Sequence, residues 1–171
     1  MRVDNLGELT TDESVPEWLV SREVEVPYFP GAKLKFILED VEGDDRPDEF
    51  AAAVARFFAL ATRDRDHAAP YVFTFYRQIC EALGDDEIEA RITSPADVWK
   101  HVHPTEIHVS RRHRADKKVY VQITAECDWE PEHGLQIVYR EGCELKRVSM
   151  QDGHLTHADA CAVPESQDRI V

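Results

Sequence analysis

The stretch Val119-Tyr120-Val121-Gln122-Ile123-Thr124-Ala125-Glu126-Cys127-Asp128-Trp129-Glu130-Pro131-Glu132-His133-Gly134-Leu135-Gln136-Ile137-Val138-Tyr139-Arg140 decides the fold class. In its first half Val119, Val121, Ile123 and Ala125 fall on one side, and Tyr120, Gln122, Thr124 and Glu126 on the other. Successive strand side chains point to opposite faces, so this spacing reads as a strand with one buried and one wetter face. Leu135, Ile137 and Tyr139 repeat the pattern against Gln136, Val138 and Arg140. Between the runs lies a loop with three carboxylates, a tryptophan, a histidine, a proline and a glycine.

Upstream, Ile107, Val109 and Arg111 alternate with Glu106, His108 and Ser110, and Arg114-Ala115-Asp116-Lys117 is a polar turn. Downstream, Glu141-Gly142 turns the chain into a further strand over Glu144–Met150, and Asp152-Gly153 is another turn signal. Residues 154–163 are expected to add a short edge strand. This gives four or five sequential strands.

The period changes nearer the N-terminus. Phe50, Val54, Phe57, Phe58 and Ala61 form one helical stripe, with Pro47, Asp48 and Glu49 at its start and Asp44 and Asp45 as cap candidates. Thr62–Ala69 reads as a charged loop and Pro70 as the opening of a second helix, whose stripe is Val72, Phe75, Tyr76, Ile79, Cys80 and Leu83. Gly84 stands where a helix-ending glycine belongs. Ser94-Pro95-Ala96-Asp97 opens a short third helix, with Ser94 as cap. Before all of these, Val24, Val26 and Tyr28, a turn at Pro30-Gly31, and Leu34, Phe36 and Leu38 make a hairpin. Residues 1–20 read as a polar lead-in tacked down by Trp18, Leu19 and Val20. Residues 21–163 read as a single domain and 164–171 as a polar tail. Strands clustered after helices predict an α+β domain: a mostly antiparallel sheet with the two main helices packed on one face.

The chain has 171 residues, 43% hydrophobic and 32% charged, which is ordinary globular composition. Twenty Lys+Arg against 34 Asp+Glu give a net charge of −14. That excludes nucleic acid as the expected partner, because such affinity rests on neutralising phosphates, and it disfavours an anionic membrane surface. It permits a basic protein partner, whose approach an acidic surface speeds. The first residues lack an apolar signal core, and no window approaches the ~20 apolar residues of a spanning helix. Cys80, Cys127, Cys143 and Cys161 stand far apart with no C-x-x-C pair, so reduced thiols and a cytoplasmic location are expected. No cofactor motif is present.

The loop Cys127–Leu135 holds the candidate site: Asp128, Trp129, Glu130, Glu132 and His133 as binding residues. Trp129 would anchor a partner, and the acids and His133 would give polar specificity. No catalytic residue is assigned. The alternatives are a metal-dependent or acid–base hydrolase centred on Glu132 and His133, and a connection whose residues only stabilise the fold. Histidines crowd the second half: His101, His103, His108, His113, His133, His154 and His157. His101-x-His103 and His154-x-x-His157 have chelating spacings, but a site needs convergence in space. Arg111-Arg112-His113-Arg114 with Lys117-Lys118 is the basic patch of an acidic chain. It is a solvated hairpin tip, a dock for an acidic group, or an intermolecular contact for the acidic run 39–49.

Several landmarks together resemble an uncharacterised bacterial domain family with no assigned activity. They are Val26-Pro27-Tyr28-Phe29, the Ala51–Phe58 helix, Trp99-x-x-Val102-x-Pro104, Cys127-Asp128-Trp129-Glu130-x-Glu132-His133-Gly134-Leu135, Gly142, and Asp152-Gly153-His154. The resemblance implies a compact domain with the 127–135 loop as its signature. Small acidic bacterial domains of this sort also resemble immunity-type proteins that neutralise a toxin.

Overall fold

The computed structural model describes residues 1–84 and 88–171. In chain order the strands and helices are β1 (Arg2–Val3), β2 (Gly7–Glu8), β3 (Thr10–Thr11), β4 (Trp18–Val20), β5 (Val24–Glu25), β6 (Lys33–Glu39), α1 (Asp48–Phe58), α2 (Thr62–Leu83), β7 (Val102–Arg111), β8 (Val119–Cys127), β9 (Leu135–Arg140), β10 (Glu144–Ser149) and α3 (His157–Cys161). The fold is α+β. Among the described residues eight strands form the main sheet in the order β10-β9-β8-β7-β6-β4-β3, with β5 also on β6. Among the described residues every pairing is antiparallel except β6 with β7. A parallel pair needs a long crossover, and residues 40–101 supply it with α1, α2 and a 3-10 helix over Pro95–His101.

Register shows how the alternating pattern becomes two faces. Phe36, Ile107, Ile123, Ile137 and Val148 lie in one row across five strands. That row joins Phe50, Ala53, Val54 and Phe57 of α1 and Val72, Phe75, Tyr76 and Ile79 of α2 in one apolar cluster. Each such side chain stabilises the fold by roughly 1.5–3 kcal/mol when fully buried. The adjacent row, Ile37, His108, Gln122, Val138 and Arg147, faces the other way.

The N-terminal hairpin forms with Val24 opposite Leu34, though β5 is only two residues long. Residues 1–20, read as a lead-in, contribute β1–β4 and bury Val3, Leu6, Leu9 and Leu19. The tail is also docked: Val148 N–H donates to Ile170 O at 2.7 Å.

Four local expectations are corrected. First, α2 begins at Thr62, and Pro70 lies inside it. Asp64 Oδ2 accepts from Ala61 N–H at 2.9 Å and ties down the first turn. Pro70 is exposed, and so is Asp66, the residue whose carbonyl loses its helical donor at Pro70. Second, α1 is preceded by Pro47 without a side-chain cap. Asp44 instead accepts from Arg46 N–H and from Arg111. Third, Ser94 does not cap its 3-10 helix; its hydroxyl donates to Asp97 Oδ2 at 2.6 Å. Fourth, residues 154–163 hold α3 rather than an edge strand, because Thr156 Oγ1 accepts from Asp159 N–H at 3.1 Å and caps a helical turn. Among the described residues no helix is long and apolar enough to cross a membrane.

Candidate functional site

The 127–135 loop does not gather its side chains around one space. Cys127 is buried, and burial pushes its thiol up to about 12, away from the thiolate form. Asp128 turns back toward the start of β7, where Oδ2 is 2.8 Å from His101 Nδ1 and Oδ1 is 2.9 Å from His103 Nε2. The His101 hydrogen bond holds this carboxyl below its ordinary value, partial desolvation opposes that, and His103 adds to it. Trp129 is 1% exposed and packs edge-on against Phe75 and Tyr76 of α2, at ring distances of 6.4 and 5.8 Å. In this conformation almost none of its surface reaches solvent.

Glu130 folds inward: Oε1 accepts from His133 N–H at 3.2 Å and lies 3.3 Å from His133 Nδ1. Glu132 and His133 face solvent. Among the described residues no hydrogen bond or ion pair joins Glu132 or His133 to Asp128, His154 or His157. The loop closes at Gly134, whose φ is +63° and whose N–H donates to Glu130 O at 2.9 Å. A Cβ there would lie 2.5 Å from Ala125 O and 2.8 Å from Gln151 Nε2, so glycine is dictated by both conformation and space.

A second constellation lies on the sheet face opposite the helices. Its floor is the polar row and its neighbours. Gln122 Nε2 donates to Gln136 Oε1 at 2.9 Å. Gln136 is fully buried and shares its own amide hydrogens among Ser149 Oγ, Asp152 Oδ1 and His154 O. Arg147 grips Asp152 through both terminal nitrogens, at 2.7 and 2.6 Å. Arg112, 4% exposed, grips Asp159 at 2.6 and 2.8 Å and also binds Glu165. These ion pairs draw the segment after β10 over the sheet as a wall. Facing it across the sheet are Glu39 and Asp40, and the space between is a cavity of about 700 Å³. At the end of β7, Arg111 is held by Asp44 and Glu49 and lies 5.5 Å over the Phe50 ring. The contact foreseen between the basic patch and the acidic run 39–49 therefore forms within one chain.

His108 lines this cavity. Its Nδ1 is 2.7 Å from Glu39 and its Nε2 is 3.0 Å from Glu106, and Trp18 packs edge-on at 5.8 Å. Burial works against the charged ring, but the two carboxylates together outweigh it and the net shift is upward. A value raised on folding stabilises fully below the unfolded value of about 6.5, and the contribution is lost as pH rises through the folded value. His108→Gln should therefore cost more stability at pH 6 than at pH 9, read from urea midpoints. An equal loss at both would show that the pair of carboxylates holds a neutral ring.

Residues 5–155 match a family described as a domain of unknown function, DUF6985. The chain belongs to this family. No curated protein and no solved structure matches it. The DUF6985 match takes in the whole 127–135 loop and the cavity floor, and it stops before α3, which carries Asp159. The cavity escapes a sequence reading because its parts come from four separated segments. Its signal is present but ambiguous: Gln122, Thr124 and Gln136 occupy the wetter positions of two strands that pattern alone assigns to solvent.

Proposed function

We propose that this DUF6985 domain is a non-catalytic binding protein whose ligand site is the cavity on the polar face of the sheet. One observation carries the reading. Three cationic groups around the floor are saturated by carboxylates: His108 by Glu39 and Glu106, Arg111 by Asp44 and Glu49, and Arg112 by Asp159 and Glu165. Groups so engaged are rigid and poorly placed to transfer protons, which suits recognition better than turnover. Uncommitted polar atoms remain among them. Among the described residues Ser110 Oγ and Gln122 Oε1 have no hydrogen-bond partner, and both residues line the cavity. The charge of −14 makes a basic protein the partner whose encounter is sped most.

The test compares three forms of the full chain as bait: wild type, Ser110→Tyr to fill the cavity, and Glu132→Lys/His133→Ala to alter the exposed side of the loop. Melting curves establish that each is folded. The reading expects a bound protein that is lost with Ser110→Tyr and kept by the loop variant. Recovery of no protein by folded wild type counts against it, and loss with the loop variant alone returns the site to residues 127–135.

A further inference from the structure

Resting on the cavity as the binding site, we propose that one end of it seats a carboxylate group of the ligand. The seat consists of His113, Arg114 and His154. All three line the cavity and are exposed. Among the described residues none of their side chains makes a hydrogen bond or an ion pair. The Arg112–Asp159 ion pair links them. His113 and Arg114 follow Arg112 directly, and Asp159, the partner of Arg112, lies within electrostatic reach of His154.

The placement is unusual for this chain. The cavity takes three of the eight histidines, with Arg111, Arg112 and Arg114, in a protein whose charge is −14. Three of its carboxylates are each held by a cation, Asp44 by Arg111, Asp159 by Arg112 and Glu39 by His108, and each of those cations also holds a second acid outside the lining: Glu49, Glu165 and Glu106. Asp40 lines the cavity with no cationic partner among the described residues, and it disfavours an anion at its own end. Distant acids weigh little, since salt screens exposed charges beyond about 8 Å at physiological ionic strength. A guanidinium offers paired N–H donors that match a carboxylate's two oxygens, and the imidazoles add donors beside it. Ser110 and Gln122 on the floor then meet the polar body that carries the acid.

The carboxylate has two possible sources, a free small acid or an acidic side chain of a protein partner. Backbone and side-chain amide resonances of the full chain would be followed while titrating sodium succinate, a blocked hexapeptide with one central glutamate, or lysine amide as a cationic control. The proposal expects succinate or the peptide to shift the signals of Ser110, His113, Arg114, His154 and the Gln122 amide together. Stronger binding of the peptide points to a protein side chain, and stronger binding of succinate to a free acid. Arg114→Gln, at an exposed position, should weaken binding about tenfold and leave the rest of the spectrum unchanged. Shifts scattered over Lys33, Lys35, Arg63 and Lys146, or an unaltered affinity in Arg114→Gln, overturn the carboxylate seat. Cavity shifts induced by lysine amide alone overturn the seat but keep the cavity as the binding site. No cavity shift with any probe, together with a partner indifferent to Ser110→Tyr, overturns both.

Discussion

Gly142→Ala is expected to destabilise the fold by roughly 2–6 kcal/mol, with about 1–3 from backbone strain and about 1–3 from overpacking. Gly142 has φ +80° in the turn between β9 and β10. An added Cβ would collide with Ala53 O and lie 3.1 Å from Phe57 N. Both are backbone atoms of α1, so no side chain can swing aside. The helix must lift from the turn or the turn must open, and either change disturbs Phe57, which packs under Tyr28 and Tyr139. Gly153→Ala is the internal control. It has φ +77° but nothing within 4 Å of the new methyl, so it carries the strain without the collision. Urea unfolding of both variants separates the two effects. Equal losses would mean that α1 can retreat from the turn freely. Net stabilities are about 5–15 kcal/mol, so the upper part of the range leaves the variant unfolded.

The turn illustrates what the sequence discloses. Glu141-Gly142 is legible as a turn because apolar alternation stops on one side and resumes on the other. That α1 presses on it is not legible, because Ala53 is 89 positions away and a methyl-sized residue gives no sign of its neighbour. The same division runs through the fold. Strands β7–β10 show in the two-residue period, and antiparallel neighbours follow from short turns. The parallel pairing of β6 with β7 is set by a crossover of two helices and leaves no local trace. The start of α2 is hidden because its first turns bury only Ala68 and Ala69, too little to make a stripe, while Pro70 imitates a beginning. Thr156 with Asp159 three positions on does carry a cap signal for α3, overshadowed by the strand rhythm before it.

The loop Cys127–Leu135 is legible as a place but not as a direction. Its residue types fit a site or a scaffold equally, and only packing tells which way Trp129 points. Trp129→Ala is therefore the second large expected effect, a loss of about 3–5 kcal/mol, as for large-to-small changes at buried aromatic positions. The side chain is 1% exposed and wedges between the loop and α2 through Phe75 and Tyr76. Among the described residues its buried Nε1 has no hydrogen-bond partner, so Trp129→Phe gives up mainly volume and ring contacts and should cost clearly less. His133→Ala removes an exposed ring whose contact with Glu130 is 3.3 Å long, and it should stay within about 0.5 kcal/mol of wild type. A core wedge requires that thermal or urea melts rank the losses with Trp129→Ala largest, Trp129→Phe next and His133→Ala smallest. A Trp129→Ala protein that melts like wild type yet loses its partner would instead mean that the tryptophan leaves the core to bind. The loop would then be the interface, and the interior position a resting state.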